Sequence, residues 1–173
     1  SLPRIYNLSE HNGQLVAVGE FNRSGANANF ANIATWDGAR WNPLGQVDGP
    51  VYGAASYRGQ LFIAGDLVNY GNIAQYDGIG GYTAATFGTD GPGLAVDVFQ
   101  DNLVAGGAFL FAGGVSTGPI AKWNYDTETW SAFSSQTFTP PPGMPPPPAQ
   151  VNVIRVIEGT LYIGGNWVGV VPG

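Results

Sequence analysis

Cysteine is absent from the 173 residues, and histidine and lysine occur once each, as His11 and Lys122. Without thiols there are no disulfides, no thiolate metal ligands and no cysteine nucleophile. A single imidazole leaves the usual zinc and copper sites short of ligands. A Ser-His-acid triad would have to use His11, but this residue precedes Asn12-Gly13 in a predicted solvent-exposed turn, and no nucleophile-elbow sequence accompanies it. Glycosidase chemistry needs two juxtaposed carboxylates. Asp66, Asp97 and Asp101 are candidates only because carboxylates are scarce. The sequence therefore predicts no enzyme, no cofactor and no metal site.

Charge is also sparse. Charged residues make up 10% of the chain, against roughly 25% in ordinary globular proteins. Long exposed helices need charge on their outer face, so few are expected. Acidic residues outnumber basic ones by twelve to six, for a net charge of −6, and the arginines (Arg4, Arg23, Arg40, Arg58, Arg155) stand singly. A nucleic-acid binder needs clustered cations to displace phosphate counterions. Nucleic acid and anionic membrane are thus poor partners, and the acidity serves solubility. No apolar run approaches the ~18 residues of a membrane span. The chain opens at Ser1 without a signal peptide, from which we expect a removed leader or an excerpt of a longer protein.

What the chain does have is glycine (27), proline (13) and aromatics: 5 Trp, 8 Tyr and 9 Phe. That mixture predicts an all-β protein of short strands and many turns. Repeats organise it. A turn and apolar strand recur at Asn12-Gly13-Gln14-Leu15, Arg58-Gly59-Gln60-Leu61, Asp101-Asn102-Leu103 and Glu158-Gly159-Thr160-Leu161. Each following strand ends in glycine, at Gly19, Gly65, Gly106-Gly107 and Gly164-Gly165. Three units continue with Ile-Ala-x-aromatic, from Ile33 to Trp36, Ile73 to Tyr76 and Ile120 to Trp123, and then a strand holding Trp41, Tyr82 or Trp130. Asp37-Gly38 and Asp77-Gly78 suit two-residue hairpin turns. Such a turn at Asp37-Gly38 would set Ala34 opposite Trp41, with Trp36 and Trp41 as diagonal neighbours. Trp36, Trp41, Trp123 and Trp130 are predicted core.

The unit resembles a kelch repeat, most clearly where Gly106-Gly107 precedes Trp123-Asn124-Tyr125-Asp126-Thr127-Glu128-Thr129-Trp130. The Trp36-Asp37-Gly38 to Trp41 variant, with Pro43-Leu44-Gly45, is similar to repeats in secreted and cell-surface propellers of microbes. The first and second repeats depart from the doublet, with Gly19-Glu20 and Gly65-Asp66. The resemblance implies a β-propeller of four-stranded blades, at about 1–50, 51–93, 94–136 and, in part, 151–173. Residues 137–150 form a proline-rich insert loop between them.

The insert contains Pro140, Pro141, Pro142, Pro145, Pro146, Pro147 and Pro148. Such a run favours extended polyproline II. It is a stiff surface loop that can also dock against an aromatic groove or, with Ser134, Ser135, Thr137 and Thr139, be modified outside the cell. Sequons at Asn22 and Asn7 are glycosylation candidates, with Asn22 favoured because its loop is polar. Three and a half blades leave an apolar edge at Trp167, Val168, Val170 and Val171, and another near Ile5 and Leu8, which other polypeptide is expected to cover. The predicted function is a non-enzymatic extracellular or cell-surface module, structural or adhesive, whose partners are other protein chains or the rest of its own. The alternative is a carbohydrate-binding propeller using exposed aromatics such as Tyr70, Tyr82 or Trp167.

Overall fold

Antiparallel strands dominate, and the one helical element among the described residues is a 3-10 turn at Val68–Tyr70. The computed structural model describes residues 2–24, 27–28, 31–134, 137–139, 149–167 and 169–171. The prolines at 140–142 and 145–148, together with Ser135 and Val168, lie outside the described residues.

The first sheet contains β1 (Arg4–His11) and β2 (Gln14–Glu20). A small hairpin follows, β3 (Arg23–Ser24) with β4 (Asn27–Ala28), and then come β5 (Ile33–Trp36) and β6 (Trp41–Pro43). The second sheet contains β7 (Val51–Tyr57), β8 (Gln60–Gly65), β9 (Ile73–Tyr76) and β10 (Tyr82–Ala84). The third begins with β11 (Gly93–Phe99) and β12 (Asn102–Gly107). After the hairpin of β13 (Phe111–Ala112) and β14 (Val115–Ser116), it ends with β15 (Ile120–Asn124) and β16 (Thr129–Ala132). Each of these three sheets pairs its four strands in chain order.

The remainder departs from that plan. β17 (Thr137–Thr139) lies within the expected insert loop, and the next unit opens with β18 (Gln150–Ile157) and β19 (Thr160–Asn166). Gly169–Val171 forms β20, which pairs with β17 rather than with β19. The long connection therefore supplies one strand of a two-stranded sheet that is separate from the β18–β19 pair.

Local chemistry explains the repeated hairpins. Asn12-Gly13, Arg58-Gly59, Gln100-Asp101 and Glu158-Gly159 all have positive φ at both positions, the signature of a type I′ turn matched to strand twist. Asp101 stands where the other three turns have glycine. Each of these hairpins also carries a bulge at the same place, at Ile5/Asn7, Val51/Gly53, Gly93/Ala95 and Val151/Val153. A bulge bends its strand and increases its twist, so all four first strands share one curvature.

The third-to-fourth-strand turns differ from expectation. Trp36 pairs directly with Trp41, and residues 37–40 form the loop. The Asp37 carboxylate explains it: Oδ1 accepts hydrogen bonds from the amides of Ala39 and Arg40, both at 2.9 Å. This side-chain turn replaces the two-residue one. The same direct pairing joins Tyr76 to Tyr82 and Trp123 to Trp130.

Consecutive sheets bury their faces against each other. Val16, Val18 and Ile33 of the first meet Ala54, Leu61, Ile63, Ala74 and Tyr82 of the second. The other face of the second gives Tyr57, Phe62 and Ile73 to a core shared with Leu103, Trp123 and Trp130. Val104 and Ile120 then meet Val151 and Ile154. The first strands also touch in series, β1 with β7, β7 with β11 and β11 with β18.

Candidate functional site

The joints between sheets repeat as faithfully as the sheets. Tyr82 donates its hydroxyl hydrogen to the Leu44 carbonyl at 2.6 Å, and Trp130 donates its indole N–H to the Ala85 carbonyl at 2.7 Å. In both, the fourth-strand aromatic bonds to the preceding unit, three residues past that unit's own aromatic. Burial pushes the Tyr82 hydroxyl well above the ordinary tyrosine range, so it remains a donor.

The connections carry a motif that sequence reading missed, Asp48-Gly49-Pro50 and Asp90-Gly91-Pro92. The Pro50 and Pro92 carbonyls accept from the amides of Asp66 and Ala108. Asp48 accepts from the Asn69 amide, and Asp90 from those of Leu110 and Phe111. A Cβ on Gly49 or Gly91 would overlap the carbonyl of Asp66 or Ala108. Asn32 and Asn72 were also missed. Both adopt positive φ, and each carboxamide bridges a loop amide (Phe21 or Leu67) to a carbonyl in the outgoing connection (Gly49 or Thr89). The available signal was an Asn before Ile-Ala in two of the units.

Against these closed joints, the outer faces of the series stand open. Leu8 is 52% exposed, whereas its counterparts Ala54, Val96 and Ile154 are at most 3% exposed. Leu15 is 39% exposed, against 1% for Leu61 and 0% for Leu103. At the far end Tyr162 is 56% exposed, while Val16, Phe62 and Val104 are at 0%. Val153 and Ile157 are exposed beside it. These two surfaces are apolar because they use the residue pattern that elsewhere forms core.

The structure redistributes the residues singled out in the sequence. Trp123 and Trp130 are buried as expected, but Trp36 and Trp41 on the first sheet are only half-buried. Tyr82 is buried and committed to Leu44, so it is not a ligand platform. Tyr70 is half-buried with its ring edge-on to Tyr82 at 6.3 Å, and Trp167 is half-buried against the last core. Val170 and Val171 fall in β20, whose backbone is paired to β17. Asn22 is exposed after β2, whereas Asn7 lies in β1 with a buried Oδ1 that has no hydrogen-bond partner.

His11 is the last residue of β1 and half-buried, not a free turn residue. Its Nδ1 lies 2.9 Å from Ser56 Oγ in the next sheet, and Asn12 Nδ2 lies 3.0 Å from Nε2. A neutral ring protonated on Nδ1 satisfies both contacts, and burial lowers its pKa accordingly. The three scarce carboxylates are not gathered into one centre. Asp97 accepts from the Val156 amide, Asp101 pairs with Arg58, and Asp66 is exposed. Among the described residues no group of three or more His, Asp or Glu is placed to hold a metal ion. No helix among the described residues is long and apolar enough to cross a membrane.

No known family model matches the chain, and no curated protein matches it.

Proposed function

We propose that the chain is a kelch-like β-propeller segment, working as a non-enzymatic structural or adhesive module outside the cell or on its surface. The contrast between closed joints and open ends carries this reading. Each open face bears the side chains that a neighbouring unit covers everywhere else in the series. Leaving them in water forfeits about 25 cal/mol for each Å² of apolar surface, and exposed patches of this kind mark interaction sites. Their occupant is further four-stranded polypeptide of the same repeat, from outside these 173 residues. The equivalent bulges and serial contacts of the first strands fit inner strands around an axis. The exposed Asn22 sequon and the Ser/Thr/Pro-rich connection fit an extracellular setting.

Sedimentation velocity on residues 1–173 tests the reading. Association is expected, and Leu15→Asp with Tyr162→Asp should abolish it. A monodisperse wild-type monomer that unfolds cooperatively overturns the assembly role. Sheets stacked along a straight line in a crystal of the chain overturn the propeller.

A second reading, carbohydrate binding, is favoured by one observation: the joint between the first and second sheets, closed along its core, leaves a cleft beside its hairpin turns.

A further inference from the structure

Corresponding positions in two joints hold different side chains. Between the second and third sheets, the space beside the β7–β8 turn is packed. Tyr57 lies edge-on to Tyr125 at 5.8 Å, and the Arg58 guanidinium covers both rings at 5.7 and 5.4 Å. Between the first and second sheets the counterparts of Tyr57, Arg58 and Tyr125 are His11, Asn12 and Gly78. The lost volume reappears as a cavity of about 340 Å³, lined among others by His11, Asn12, Gln14, Gln60, Tyr76 and Asp77.

We propose that this cleft binds one or two rings of a neutral sugar. The proposal rests on the carbohydrate-binding reading and gives it a site. Ligand pockets run from roughly 300 to 1,000 Å³, so the volume suits a small ligand and no long chain. The carboxamides of Asn12, Gln14 and Gln60 both donate and accept, as the hydroxyls of a sugar do. The side chains of Gln14 and Gln60 have no hydrogen-bond partner among the described residues. Half-buried Tyr76 supplies an aromatic surface on a rigid strand, backed by Tyr82 at a ring separation of 5.2 Å.

Charge narrows the class further. Among the described residues no Lys or Arg lines the cleft, so none of them compensates an anion there. Asp77 is the one carboxylate, and its Oδ1 already accepts from the amides of Ile79, Gly80 and Gly81. What remains is Oδ2, an acceptor suited to a hydroxyl.

The test is titration of the 1–173 chain with neutral mono- and disaccharides, each against its uronic-acid analogue, followed by amide NMR shifts. At least one neutral sugar should saturate at millimolar concentration, with shifts centred on Gln60, Tyr76 and Asp77. The double variant His11→Tyr with Asn12→Arg copies the filled joint and should weaken binding by about tenfold or more while keeping the wild-type spectrum elsewhere. Gln60→Ala, which leaves the packing in place, should weaken it too. Sugar binding unaffected by both variants would place the site elsewhere on a carbohydrate-binding protein. Preference for the uronic acids would refute the neutral class, and no saturable binding to any sugar would remove both the site and the reading.

Discussion

The two joints flanking the second sheet share a backbone plan and differ in what fills them. The joint with the third sheet is aromatic, with Phe62 and Trp123 at 5.3 Å, Trp123 edge-on to Tyr125 at 5.8 Å, and Trp130 buried beside them. The joint with the first sheet is mainly aliphatic, built on Val16, Val18, Ile33, Leu61, Ile63 and Leu67. A guanidinium spans the first: Arg58 pairs with Asp101 and with Asp126, which pushes its pKa up and that of Asp101 down. In the joint with the first sheet Asn12 takes that place, next to a neutral imidazole hydrogen-bonded to Ser56. Repetition of the backbone thus leaves each joint free to be packed with different side chains.

The largest expected difference lies in the tryptophans. Trp123→Ala empties a buried site and should cost about 3–5 kcal/mol, read from urea unfolding. Trp36→Ala, on the open face of the first sheet, should cost clearly less, and equal losses would break the comparison. Next come the shared fasteners. Tyr82→Phe and Trp130→Phe each leave a carbonyl without its donor, and each should cost about 1–3 kcal/mol. Similar values would show that both joints depend on this bond, whatever fills them.

Solution conditions sharpen the contrast with smaller effects. Burial holds the folded pKa of His11 below its ordinary 6.5, so the unfolded chain binds the extra proton first. The stability linked to this group is present above 6.5 and falls as pH drops toward the folded value. His11→Tyr should flatten the stability profile in that window. Raising salt should weaken the second–third joint through the exposed Arg58 pairs and leave the first–second joint unchanged. Smallest is the acid limb of the Asp37 turn. Amide hydrogen bonds from Arg40 and Ala39 hold this carboxyl at about 2, below its ordinary 3.8. Its contribution is present above 3.8 and lost as pH falls toward about 2, and Asp37→Asn should remove that dependence.

The sequence by itself determined the all-β class, the period of the units and the first hairpins, because turns and alternating strands are written in neighbouring residues. Asn12-Gly13, Arg58-Gly59 and Glu158-Gly159 announce their geometry within two positions. The Asp37 turn was harder to read, since one carboxylate capping two amides moved Trp36 from the diagonal of Trp41 to the position directly opposite. Only the tertiary structure decided the rest, because its causes lie about forty residues or more apart in the chain. The Trp130 bond to Ala85, the contact of His11 with Ser56 and the clamp of Arg58 on Asp126 each join different units. Whether a leucine is core or surface was decided the same way. Leu15 and Leu61 occupy the same position in the repeat, and only Leu61 has a sheet packed against it.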